Sequence, residues 1–177
     1  MLDSGLGGLT VLSALRSLTS AIDITYFADT AHVPYGDRSL RDVARLGKKI
    51  VERLMAKQPA LVIVASGTTC AAFDAGGWPE AGAPLIGVVD QGARAACAAS
   101  RTGKIGVIAT NATIASGVFE RAIHALRHDA VVTNVGAPAL VPIVESGGWA
   151  SVRARDAVAT SCGAFTRAGC DAVILGC

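Results

Sequence analysis

Short aliphatic runs alternate along the chain with longer stretches in which apolar residues recur every three or four positions. The runs Ile22–Ala28, Ala60–Ala65, Pro84–Val89, Lys104–Ala109, Ala130–Val135 and Asp171–Leu175 read as strands. Most are continuously aliphatic rather than alternating, the pattern of strands covered on both faces. Between them Leu40, Val43, Ala44, Ile50, Val51 and Leu54 fall at helical spacing, with Arg, Lys and Glu on the other side. Thr113–Leu126 and Ser151–Arg167 read the same way. Alternation of strand and helix predicts an α/β protein built on parallel sheets. A division near residues 87–95 would give an N-terminal α/β domain over residues 1–90 and a second over 91–177, incomplete at its C-terminal end. No internal sequence repeat is visible. Met1–Leu2 leaves almost no room for a strand before the Asp3-Ser4-Gly5 turn, and the run ending in Cys177 stops where a strand should hand over to a helix. The expectation is therefore a fragment, truncated at both ends.

Composition narrows the picture. Hydrophobic residues make up 51% of the 177 and charged residues 17%, enough to bury a core and too apolar for disorder. At 5% aromatic, that core must be aliphatic and alanine-rich. The net charge is +2 and the cations are scattered, which argues against nucleic acid as a partner. No apolar run is long enough to cross a membrane, and no signal-peptide pattern is present. The five cysteines form no Cys-x-x-Cys pair and no zinc-like spacing with His, so they read as reduced thiols in a cytoplasmic protein, with no metal implied.

Candidate chemistry gathers at the carboxyl ends of the strands, where open α/β sheets bind ligands. Asp3-Ser4-Gly5-Leu6-Gly7-Gly8 could bring backbone N–H groups and a helix dipole to a ligand, or could be an ordinary tight turn. It is neither a P-loop nor a dinucleotide fingerprint. Asp29-Thr30-Ala31-His32-Val33-Pro34-Tyr35-Gly36 packs a carboxylate, a hydroxyl, an imidazole and a phenol into one loop. His32 by itself fits a structural role. Ser66-Gly67-Thr68-Thr69 could hold a carboxylate or simply cap the next helix. Cys70, one turn into that helix, reads as a packed thiol. Cys177, at a strand's carboxyl end, is either a buried structural residue or a thiol acidified by a helix N-terminus.

Taken together, DSGLGGLTVL (Asp3–Leu12), YFADTAHVPYGDRS (Tyr26–Ser39), LVIVASGTTCAA (Leu61–Ala72), GVVDQGARAA (Gly87–Ala96), IGVIATNATIASGVFERAI (Ile105–Ile123), VPIVESGGW (Val141–Trp149) and DAVILGC (Asp171–Cys177) resemble the glutamate racemases of the aspartate/glutamate racemase group. Their order and spacing carry the resemblance, and it covers nearly the whole chain. It implies two α/β domains related by a pseudo-twofold axis, the substrate between them, and conversion of L-glutamate to D-glutamate for peptidoglycan precursors and hence cell shape. It implies no cofactor. Two cysteines would flank Cα, one thiolate removing the proton while the opposite thiol delivers another. A very weakly acidic α-proton, with no pyridoxal phosphate as electron sink, demands two positioned acid–base groups in near concert. By position, Asp3 and Ser4 match the substrate-binding pair, Tyr35 and Gly36 the Pro-Tyr-Gly contact, Thr68 a hydroxyl on the substrate, and Cys177 the second catalytic Cys. Thr110, Thr113 and Glu145 fall in segments near the site. The implied partner is a small-molecule substrate. A homodimer is a further expectation, because open sheet edges invite association.

The chain departs from the family pattern Cys-Asn-Thr, which here is Ser66-Gly67-Thr68. A serine hydroxyl is far less acidic than a thiol and cannot readily hold the charge a base needs. Gly67 lacks the amide side chain but keeps a backbone N–H. Cys70, a full helical turn on and about 5–6 Å along the axis, is no substitute. Racemisation impaired at Ser66 is the leading expectation. The alternatives are a single-Cys, cofactor-free decarboxylase of a malonate-like acid, by resemblance to arylmalonate decarboxylases, and a non-catalytic racemase-like protein.

Overall fold

Two separate parallel sheets organise the chain in the computed structural model, which describes residues 1–177. They belong to two compact units, Met1–Val88 and Val89–Cys177.

The first unit runs β1 (Leu2–Asp3), α1 (Gly8–Leu18), β2 (Phe27–Ala28), α2 (Leu40–Met55), β3 (Val62–Val64), α3 (Gly67–Gly76) and β4 (Leu85–Gly87). Its strand order is β2-β1-β3-β4, all parallel. α2 forms where the apolar spacing predicts it. Ser39 caps it by accepting the Asp42 N–H, and Val43, Leu46, Ile50, Val51 and Leu54 are buried on one face. α3 is buried through most of its length, with Phe73, Cys70 and Ala71 fully covered. Each such large apolar side chain contributes roughly 1.5–3 kcal/mol by leaving water.

The second unit takes α4 (Val88–Ala99), whose leading residue belongs to the first, then β5 (Lys104–Ala109), α5 (Asn111–Ser116), α6 (Val118–Leu126), β6 (Val131–Gly136), α7 (Leu140–Glu145), α8 (Val152–Ala168) and β7 (Ala172–Leu175). The order is β6-β5-β7, again parallel. Ile105 and Val107 of β5 are fully buried, and Phe165 of α8 packs on Gly106. Asp171 ties the start of β7 to the turn before β5, accepting from Ser100 Oγ at 2.5 Å and from the Arg101 and Thr102 N–H groups at 2.9 Å.

Several expectations change. β1 exists: its two residues are flanked on both sides, and its carbonyls accept from Asp29 N (3.0 Å) and Ala65 N (2.8 Å). The run Ile22–Ala28 pairs only at Phe27–Ala28. Pro84–Val89 is strand only to Gly87, and α4 begins at Val88. Thr113–Leu126 is broken into α5 and α6 at Gly117, whose φ of +67° is left-handed and stops the helix. The two units also share a wiring that the sequence does not display. In each, the leading strand lies between the second and the third, so successive connections run to opposite sides.

Candidate functional site

That wiring fixes where ligands are expected. The strand order reverses between β1 and β3 in the first unit and between β5 and β7 in the second. The crevice beyond such a reversal, at the carboxyl ends, is the usual binding point of an open α/β sheet.

In the first unit the residue that ends β1 is Asp3. Its side chain turns back into its own loop, where Oδ2 accepts from Gly5 N at 3.0 Å and Gly8 N at 2.9 Å. Tyr26 closes the same loop from the other side by donating its hydroxyl to the Gly5 carbonyl at 2.8 Å. Only glycine fits at position 8, since a Cβ there would lie 2.7 Å from Asp3 Cβ and 2.8 Å from Tyr26 Oη. The loop presents Ser4, half-buried, beside the buried Asp3.

The loop after β2 is held by Asp29, which is 8% exposed. Its Oδ2 accepts the Tyr35 hydroxyl at 2.6 Å, and His32 Nδ1 lies 2.7 Å from Oδ1 and 3.0 Å from Oδ2. Tyr35 is buried, which pushes its phenol pKa up. The hydrogen bond to Asp29 pushes the same way, so the hydroxyl keeps its proton. Gly36 follows in the same tight turn, Tyr35–Asp37.

Ser66 follows β3 and caps α3. Its Oγ accepts the Thr69 N–H at 3.2 Å, and the residue is 4% exposed. Gly67 and Thr68 are buried in the opening turn of the helix. Cys70 is fully buried, its thiol donating to the Val64 carbonyl at 3.5 Å, which makes it a packed structural group. The carboxyl edge of this sheet thus brings together Asp3, Ser4, Tyr35, Gly36, Ser66, Gly67 and Thr68. A surface groove of about 1080 Å³ along α2, walled by Arg41, Arg45 and Lys48, contains none of them.

In the second unit Thr110 follows β5 and caps α5. Its Oγ1 accepts from Thr113 N at 3.2 Å and shares a 2.9 Å hydrogen bond with Thr113 Oγ1, both side chains being buried. Beside it, Gly176 N donates to Ile108 O at 2.8 Å, so that Cys177 follows β7 at the same edge. Cys177 is exposed. Glu145 is half-buried at the far end of α7, the sixth residue of the helix, and is not among the strand-end groups.

Known proteins share this fold. The family description Asp/Glu/Hydantoin racemase fits residues 9–177. The chain belongs to that family. It is 37% identical to the glutamate racemase of Desulforudis audaxviator over 100% of its own length and 65% of that protein's. Against the crystal structure of glutamate racemase isoform RacE1 from Bacillus anthracis the TM-score is 0.93 at 36% identity, covering 99% of this chain and 66% of that one. A Francisella tularensis glutamate racemase, solved in complex with D-glutamate, gives a TM-score of 0.86 at 27% identity, with 99% and 66% covered. The chain therefore spans just under two thirds of the curated relatives' length.

Tyr26 is the site-edge residue that sequence reasoning missed. It acts across 21 positions, and the only local sign was a polar-tipped aromatic entering a polar strand end.

Proposed function

We propose that the protein acts in cofactor-independent racemisation of L-glutamate and D-glutamate, in the cytoplasm and in the service of peptidoglycan precursors, with one of its two bases impaired. The observation that carries the reading is the placement of Ser66 and Cys177. Each follows the third strand of its sheet at a point of strand reversal, in a chain that aligns along its whole length with glutamate racemases. Those relatives favour racemisation over malonate-type decarboxylation.

In the reaction, the Cys177 thiolate takes the α-proton, the C–H electron pair passes into the α-carboxylate, and a proton returns to Cα. Return to the opposite face inverts the centre; return from the same thiol only exchanges it. Hydroxyl and N–H donors of Ser4, Thr68, Gly67, Thr110 and Thr113 are suited to the growing carboxylate charge. Asp3 suits the ammonium group and Tyr35-Gly36 the remainder of the substrate. Glu145 belongs to this reading as a residue of the surrounding shell. Ser66 supplies a hydrogen bond but a very poor base, because its hydroxyl is far less acidic than a thiol and keeps its proton. A homodimer is part of the same proposal.

The test is proton exchange at Cα in D₂O, followed by NMR on D-glutamate and L-glutamate separately, using the longest open reading frame that contains this sequence. Exchange confined to one enantiomer and abolished by Cys177→Ala is the expected result. No exchange of either enantiomer by a folded protein refutes the reading.

A further inference from the structure

The loop after β2 contains a buried carboxylate that the reaction above does not use. Asp29 is fixed at both ends of its chemistry. Its backbone N–H donates to the Asp3 carbonyl at 3.0 Å, tying it to the strand that ends in the substrate-binding pair. Its carboxylate receives the Tyr35 hydroxyl at 2.6 Å and His32 Nδ1 at 2.7 Å. The loop is closed further by His32 N donating to the Asp29 carbonyl at 3.1 Å and Arg38 Nε to the His32 carbonyl at 2.8 Å. A carboxylate this buried needs donors on its oxygens, and here both are supplied from within a single loop.

Tyr35 has one hydroxyl proton, and it is committed to Asp29. The phenol therefore cannot donate to a ligand. What it does is fix the backbone of Tyr35 and Gly36 relative to Asp3, with Asp29 as the only side chain in the bridge. We propose that Asp29 is a positioning residue: it holds the Tyr35-Gly36 substrate contact in register with the carboxyl end of β1. This rests on the glutamate-binding reading above. His32 lies outside the bridge, because its side chain is 45% exposed and Tyr35 reaches Asp29 without it.

The experiment measures D-glutamate affinity by calorimetry, with a thermal melt of every variant as the control for folding. Asp29→Ala and Tyr35→Phe each remove the same bond, so each is expected to weaken binding about tenfold. The double variant should also lose about tenfold rather than the roughly hundredfold of independent sites. Asp29→Asn should stay within about threefold, since an amide oxygen still accepts the phenol proton, and so should His32→Gln. An additive double variant, or a loss in Asp29→Asn as large as in Asp29→Ala, overturns the proposal. If Asp29→Ala does not fold, Tyr35→Phe and Asp29→Asn still decide it, because the reverse order of their losses overturns it. A folded parent protein that binds no glutamate overturns the functional reading and this inference together, whereas a parent that binds, with additive variants, overturns this inference alone.

Discussion

Replacing Ser66 by Cys should change stability and chemistry in opposite directions. Ser66 Oγ accepts the Thr69 N–H at 3.2 Å, and Thr69 is fully buried. Sulfur accepts an N–H more weakly than a hydroxyl oxygen does, so Ser66→Cys weakens the bond to that N–H. Loss of a serine cap costs about 1 kcal/mol, with a range of roughly 0.5–2. If Met1–Val88 melts as one unit, about 1 kcal/mol lowers its Tm by roughly 4–8 °C. The chemical effect runs the other way. A thiol with a pKa of about 8.5 is roughly one quarter ionised at pH 8, and its place at the start of α3 lowers that pKa further. The serine hydroxyl stays protonated throughout. General acid–base groups contribute roughly 10²–10⁴-fold, and a gain of that order is expected for the enantiomer that Ser66 faces.

The assay pairs a thermal melt with Cα exchange in D₂O, and includes Ser66→Ala. The alanine variant also loses the cap but gains no thiol. It should melt as low as Ser66→Cys and show no gain in exchange. A Ser66→Cys protein that melts at or above the parent would refute the capping argument. A gain shared by the alanine variant, or no gain in a folded cysteine variant, would refute the assignment of Ser66 to a base position.

Three further outcomes follow from the same structure. Gly8→Ala forces a Cβ into Asp3 and Tyr26 Oη, and should cost about 1–3 kcal/mol in denaturant unfolding and weaken glutamate binding with it. Alkylation of the native protein, mapped by peptide mass spectrometry, should modify exposed Cys162 and spare buried Cys70 until denaturant is added. The bond from Ser100, followed by those from the Thr102 and Arg101 N–H groups, holds the Asp171 carboxyl at about 2 against an ordinary 3.8. Because its folded pKa lies below the unfolded one, its stabilising effect is present above about pH 3.8 and is lost as pH falls towards 2. Asp171→Asn should flatten the acid limb of a melt-versus-pH curve over that window.

The fold was legible wherever a run was long enough to set its own period. β5 matches its predicted bounds, and α2 follows its apolar spacing. The errors fall on elements defined by their neighbours. β1 is two residues long and counts as a strand because β2 and β3 pair with it, which no local pattern can show. Val88 and Val89 continue the apolar run of β4, yet Val89, Ala93 and Ala96 are buried at helical spacing and belong to α4. That spacing was present in the sequence, but the β-branched pair at its start outweighed it. At the candidate site, the strand-end loops were legible as polar clusters. The bonds that shape them were not, because Tyr26 reaches Gly5 and Asp29 reaches Tyr35 only after the chain has folded back.

The shared wiring of the two sheets bears on why Ser66 is compatible with the fold. In each unit the leading strand ends at or just before a residue that satisfies its own loop: Asp3 accepts from Gly5 and Gly8, and Thr110 from Thr113. The third strand is followed by Ser66 in one unit and by Cys177 in the other. The position after β3 has two uses that favour different atoms. As a cap, its side chain must be a good acceptor for a buried N–H; as a base, it must ionise near neutral pH, which a thiol does and a hydroxyl does not. Serine meets the former demand and fails the latter. A change from thiol to hydroxyl at this point would therefore tighten the β3–α3 junction while removing half of a two-base reaction, and the loss would leave no mark on packing. A well-formed first unit is consequently no evidence of racemase activity. The exchange asymmetry between the two enantiomers is the observable that separates the two uses.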